Sequence, residues 1–327
     1  MKGIFWRRAA VSGLGVLAGV LAVASTLQTA VAQDKLKVAI GGQRGIGENF
    51  PAELAQKSGI FKKNGLDVEI FYTEGTGETL QATISGAAQI GVATGFAGTL
   101  GPISKGAPVR IIGASFTGGS QLYWYVKANS PIKSVKDAEN RTVAYSTNGS
   151  SAYASVMALQ KYSGVKFKMV ATGSTPSTFA AVMSGQVDVG WAGAPFGVEA
   201  LEKGDIRLVW KASAAPDMDK QTIRVLIARA DDLKAKPDVY ARFLRSYKEA
   251  QDWVFSTPEG LKAYADWAGI SEAGAKKALV EFLPRPAIDP YRIEGINEVM
   301  DDAVRMKFMP ERMSAAQIKE AIQVPPR

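Results

Sequence analysis

The chain has 327 residues, 46% hydrophobic and 21% charged, with a formal net charge of +8. That is enough for about two globular domains, each with a core of its own. It contains no Cys and no His, which excludes disulfides, thiolate chemistry, a lipid-anchoring cysteine, and the commonest general base and metal ligand.

The N-terminus reads as an export signal. Lys2, Arg7 and Arg8 form a basic start, Ala9 to Leu27 is apolar, and Ala30-Val31-Ala32 is an A-x-A cleavage site before Gln33. Export of a cysteine-free chain points to a Gram-negative periplasm, by a Sec or a twin-arginine route. Removing the three signal positives leaves about +5, from 36 Lys and Arg against 31 Asp and Glu. Those positives are scattered, with no basic run interleaved with aromatics, so no nucleic-acid partner is expected.

Leu36 to Ile40 reads as a strand that opens into the glycine-rich loop Gly41 to Asn49. Pro51 suits the first turn of a helix that Gly59 closes, and Phe61 to Leu66 reads as a turn before a strand at Asp67 to Phe71. The loop glycines do not fall as G-x-G-x-x-G, so a dinucleotide site is not indicated, and no cofactor or metal is expected.

One segment then occurs twice, 99 residues apart: Thr79 to Ala93 (TLQATISGAAQIGVA) and Thr178 to Ala192 (TFAAVMSGQVDVGWA). Each copy reads as a helix stopped by Ser-Gly, a short apolar strand, and a glycine-rich stretch containing Phe96 or Phe196. Ligands of open α/β sheets bind beyond the carboxyl ends of strands, so the repeat predicts two equivalent lobes facing one cleft. Val109 to Phe116 reads as a strand, Thr117 to Ser120 as a hinge, and Leu122 to Val126 as the first crossover between lobes. Thr142 to Tyr145 opens into Ser146 to Ser151 and a helix start. Such a junction offers free N–H groups and a positive dipole end to an anion, or is simply capped by Ser150 or Ser151. Phe167 to Ala171 is a strand, and Thr175 caps a helix with Pro176 at its first position. Ile206 to Trp210 is a strand, Thr222 to Ala228 returns to the first lobe, and the chain is helical from Pro237 onward. The expected divisions are a signal (1–32), lobe I (33–118 and 224–327) and lobe II (119–223).

Phe50 to Ile70 (FPAELAQKSGIFKKNGLDVEI), the Gly75 to Val92 segment and the second repeat together resemble the periplasmic substrate-binding proteins of ABC importers, in the nitrate/sulfonate/taurine-type family. The resemblance covers essentially the whole chain after the signal. It implies a type II two-lobe α/β fold with two crossover strands as hinge, a monomer, and delivery of a small solute to an inner-membrane permease. It also implies ligand contacts from Gln43 to Asn49, Thr94-Gly95-Phe96, Ser146 to Ser151, Thr172 to Thr175 and Trp191 to Phe196. The individual candidates are Gln43, Arg44, Asn49, Thr94, Gly95, Phe96, Tyr145, Ser146, Asn148, Ser150, Ser151, Ser174, Thr175, Trp191 and Phe196. A Pro-Trp pair often follows the first strand in sulfonate-type members, where this chain has Gly-Gly-Gln-Arg-Gly.

Among these, Arg44 is the expected counter-charge, since its fork can grip a carboxylate or sulfonate. Tyr145, Trp191, Phe96 and Phe196 are the expected stacking wall for a small organic anion, aromatic bodies included. Two rival classes share the architecture. One is a sensor presenting its solute to a membrane receptor. The other is an enzyme resembling pyrimidine-precursor or menaquinone-pathway enzymes, with Asp188, Glu48 and Glu74 as its available carboxylates. The export signal and the missing His and Cys lead to the expectation that the chain is not an enzyme.

Overall fold

The computed structural model describes residues 33–45 and 47–327, and the expected export signal lies outside the described residues. β1 (Asp34–Gly41) pairs in parallel with β2 (Leu66–Thr73) across α1 (Phe50–Lys57) and the single turn α2 (Ile60–Lys63). The turn expected at Phe61 is therefore helical, because Ile60 and Phe61 are buried against the sheet. α3 (Thr76–Ser85) leads to β3 (Ile90–Gly95), and α4 (Phe96–Ser104) to β4 (Val109–Thr117).

Past residues 118–121 the chain forms β5 (Leu122–Lys127), β6 (Thr142–Tyr145), α5 (Ser151–Ser163), β7 (Lys168–Ala171) and α6 (Thr175–Ser184). β8 (Gly190–Gly193), α7 (Val198–Lys203) and β9 (Ile206–Lys211) follow. The chain returns through residues 212–221 to β10 (Thr222–Arg229). It ends in α8 (Ala230–Ala235), α9 (Pro237–Ser256), α10 (Pro258–Ala268), α11 (Glu272–Glu281), α12 (Ile296–Arg305) and α13 (Ala315–Ala321). No helix among the described residues is long and apolar enough to cross a membrane.

The first sheet has the order β2-β1-β3-β10-β4, with β10 antiparallel to both neighbours. In the second half, β8-β5-β9 is antiparallel and β6-β7 is parallel, and a parallel bridge from Val143 to Val189 joins them. The resulting order, β7-β6-β8-β5-β9, reproduces the first sheet strand for strand. Leu122 to Val126, expected as the crossover, is instead a strand of the second half, lying between β8 and β9. Its side chains are all buried, which explains its β-rich composition, and the crossing is made by the four residues before it.

The 99-residue repeat has a physical basis. Gly86 and Gly185 end α3 and α6 with φ of 83° in each, a left-handed conformation that disfavours side chains. A Cβ on Gly91 would lie 2.7 Å from Ile227 Cγ1, and one on Gly190 would lie 2.7 Å from Val182 Cγ2, so both strands start where no side chain fits. The threonines agree as well. The hydroxyls of Thr73 and Thr79 lie 2.7 Å apart, and those of Thr172 and Thr178 lie 2.6 Å apart. Thr79 donates to Gly75 O at 2.9 Å and Thr178 to Ser174 O at 2.8 Å, so each pair ties a strand end to the helix start beside it.

Two apolar clusters cover the faces of the first sheet, one built on Val38, Ile40, Ile90 and Phe243, the other on Phe96, Leu100, Val225 and Met300. The third centres on Tyr123, Trp124 and Tyr125 and extends into Tyr264, Trp267 and Phe282. Those last three come from α10 and the end of α11, so the C-terminal helices pack on both halves. Burial of such aromatic surface contributes on the order of 2–3 kcal/mol per side chain.

Candidate functional site

A cleft lies between the halves, with about 670 Å³ of empty space, open solvent at its mouth included. Four helix starts line it. Asn49 precedes α1, Gly75 and Thr76 begin α3, Ser150 and Ser151 begin α5, and Ser174 and Thr175 begin α6. This follows from the duplication: each half has two helices that begin beyond the carboxyl ends of its pair of parallel outer strands, β1 and β2 in the first and β6 and β7 in the second. The first turn of a helix leaves N–H groups without helical partners and carries partial positive charge. Four such ends on one cleft make it attractive to an anion, each contributing about 0.3–1 kcal/mol.

Arg224, on β10, is the charged side chain at this cleft that sequence reasoning missed. Its Nη1 donates to Glu48 Oε2 at 2.5 Å and to Gln121 Oε1 at 2.8 Å, and its Nε donates to Ser151 Oγ at 2.8 Å. Gln121 Nε2 donates to the same Glu48 oxygen at 2.5 Å. Glu48 is fully buried, while Arg224 retains 13% side-chain exposure. Among the described residues Nη2 of Arg224 has no partner. Glu48 therefore holds the guanidinium in place and leaves one edge of the fork unused. The available signal was an arginine inside the otherwise apolar run Ile223 to Ala228, directly after a crossover.

Eight of the expected residues line the cleft: Gln43, Asn49, Ser146, Ser150, Ser151, Ser174, Thr175 and Trp191. Trp191 spends its indole N–H on Thr172 Oγ1, at 3.2 Å, and keeps 8% exposure. The helix cap expected at Thr175 is Ser174, whose Oγ accepts from Ser177 N at 3.2 Å. Thr175 is thereby the first helical residue, and its buried Oγ1 has no partner among the described residues.

The other seven are elsewhere. Arg44, the expected counter-charge, donates through Nε to Glu53 Oε1 at 2.7 Å and does not line the cleft. Thr94 is buried and donates to Val225 O at 3.3 Å. Gly95 donates its N–H to Thr76 Oγ1 at 2.9 Å, and Phe96 is buried in the core under α4. Tyr145 donates to Asn148 Oδ1 at 3.0 Å and leans on Tyr153, with ring centroids 5.2 Å apart. Phe196 lies edge-on to Phe179 in a separate groove. The stacking wall of four aromatics thus reduces to Trp191, because the other three have apolar partners of their own. Of the three candidate carboxylates, Glu74 lines the cleft. Asp188 accepts from Thr142 N and Oγ1 at 2.9 and 2.7 Å, a structural pairing.

Glu53 gathers more partners than Arg44 alone. Burial pushes its carboxyl up, but hydrogen bonds from Lys57, Tyr72 and Trp267 outweigh this and hold it below its usual range. A carboxylate lowered on folding adds stability above its unfolded pKa, near 4.5, and loses it as pH falls through the folded value. The melting temperature should therefore drop more steeply below about pH 4.5 in the natural protein than in Glu53→Gln. Parallel curves would mean that Glu53 contributes no such linkage.

The strand order, the paired halves and the cleft at the strand ends define a type II periplasmic-binding-protein fold. Solved structures agree. The alkanesulfonate-binding protein SsuA from Xanthomonas axonopodis pv. citri, bound to MOPS, has a TM-score of 0.73 at 16% identity, covering 90% of this chain and all of that one. The periplasmic aliphatic sulphonate binding protein SsuA from Escherichia coli gives 0.66 at 17% identity, covering 90% and 93%.

Residues 49–261 match the family model described as NMT1/THI5 like, and the chain belongs to that family. Its curated relatives include the 4-amino-5-hydroxymethyl-2-methylpyrimidine phosphate synthase of Uromyces fabae, 24% identical over 69% of this chain and 68% of the relative. A synthase of the same name from Saccharomyces cerevisiae is 22% identical over 67% of each chain. These relatives overturn the expectation that the chain is not an enzyme. Members of its own family are named as synthases, so an enzyme role is open to this chain.

Proposed function

We propose that this protein captures a small organic anion in the cleft and passes it to the permease of an ABC importer. The observation that carries this reading is the unused Nη2 edge of Arg224 in a cleft lined by four helix N-termini. The anion sits against Arg224, Ser150 and Ser151, with Trp191 covering its apolar body. Residues 118–121 and 212–221 act as the hinge, and the protein works outside the inner membrane. Closure removes water and strengthens each hydrogen bond to the solute. The solute shifts the open–closed balance only by its differential affinity for the closed form.

Indole emission provides the test, because Trp191 borders the cleft. Titration with benzoate or ethanesulfonate should change the emission of the natural protein, and Trp191→Phe should lose most of that change. Equal responses to the neutral methyl ester of benzoate would contradict the anion assignment. The synthase relatives favour a second reading, acid–base chemistry on a bound solute, for which Glu74 is the carboxylate at the cleft. Conversion of a bound solute by the purified protein, followed as a mass change, would favour this reading over capture.

A further inference from the structure

The cleft has an acceptor as well as donors. Asn49 is 3% exposed and lines it. Its Nδ2 donates to Gly41 O at 3.1 Å. That bond fixes the amide's orientation, since the reverse orientation would set two oxygens face to face. Oδ1 is consequently a buried acceptor, and it has no partner among the described residues. Nor is Asn49 spent as a helix cap, because its side chain makes no capping bond to α1. An unpaired buried acceptor costs about 1–3 kcal/mol, which a solute carrying an N–H or O–H at this point would remove.

A second acceptor stands on the same half. Glu74 is exposed, lines the cleft and makes no ion pair within 4.0 Å among the described residues. Its counterpart in the repeat is Gly173, so the carboxylate breaks the symmetry of the two halves. Arg224 and the helix-start N–H groups would hold the anionic end of a solute, and as donors they cannot serve its N–H or O–H.

We infer that the solute carries a hydrogen-bond donor besides its negative charge, and that Asn49 Oδ1 selects for it. The cleft accordingly favours hydroxy- or amino-substituted anions over anions that only accept. This deepens the proposed function and rests on the cleft being the solute site.

Calorimetric titration with matched probes tests it. The anionic pairs are ethanesulfonate with 2-hydroxyethanesulfonate and benzoate with 4-hydroxybenzoate. The neutral pair is methyl benzoate with methyl 4-hydroxybenzoate. The hydroxylated member of at least one anionic pair should bind about tenfold to a hundredfold more tightly than its partner. Asn49→Leu should abolish that preference, so that the two members of each pair bind within a few-fold of each other. Asn49→Gln, which keeps an uncharged amide acceptor, should retain part of it, and the ligand-free melting temperature of each variant reports its folding. Equal affinities within both anionic pairs, or a preference surviving in Asn49→Leu, would overturn the inference. A hydroxyl preference confined to the neutral esters would support the role of Asn49 and refute the anion reading. Binding of no probe would overturn both.

Discussion

Arg224→Met is expected to eliminate anion binding and to lower stability by about 3–5 kcal/mol, the cost of stranding a buried charge. The stranded group is Glu48, fully buried and bonded through one oxygen to Arg224 Nη1 and Gln121 Nε2. Two roles are thus combined in one side chain, neutralising Glu48 and lining the cleft with an Nη2 that is unpaired among the described residues. The double variant Arg224→Met with Glu48→Gln separates them. Replacing both members of a buried pair by groups of similar shape is often neutral, so stability should largely return. Binding should not, because the guanidinium edge is still missing. Full recovery of binding in the double variant would show that Arg224 serves only the fold.

Gly98→Ala should weaken solute binding roughly tenfold to a hundredfold, by a different route. Gly98 lies inside α4, in the first half, and faces the loop before α5, in the second. A Cβ there would sit 2.4 Å from Gly149 O and 2.9 Å from Gly149 Cα. Both are backbone atoms, so no rotamer relieves the clash, and overpacking of this kind costs about 1–3 kcal/mol. Alanine should otherwise strengthen the helix by about 1 kcal/mol. The ligand-free protein can escape by letting the halves part, whereas closure on a solute cannot. Titration should show the weaker affinity, while the ligand-free melting temperature stays level or rises. Unchanged affinity would mean that closure does not require the contact of Gly98 with Gly149.

The duplicated architecture was legible because it rests on local signals. Gly86 and Gly185 stop helices, Gly91 and Gly190 admit them against the strands, and these requirements recur at one spacing. The strand-end loops were legible for the same reason, and the family resemblance then implied ligand contacts there, which brought Asn49, Ser150, Ser151, Ser174, Thr175 and Trp191 into view. Charge partners were not. Arg44 and Arg224 look alike in a sequence, yet one pairs with Glu53 nine positions away and the other with Glu48, 176 positions away. Aromatic roles were hidden too. Phe96 follows a strand end just as a wall residue would, but α4 begins there and turns the ring into the core. Leu122 to Val126 carried the composition of a strand without any sign of which sheet it joins.

The most direct test of capture is a thermal-shift screen of the purified protein against small carboxylates, sulfonates, nitrate, aromatic acids, cations and neutral solutes. A ligand present at a hundred times its dissociation constant stabilises a fold by about 2.7 kcal/mol. A shift of that size is expected with organic anions, together with its loss in the Arg224→Met, Glu48→Gln double variant. A shift confined to cations or neutral solutes, or one that survives in the double variant, would contradict this expectation.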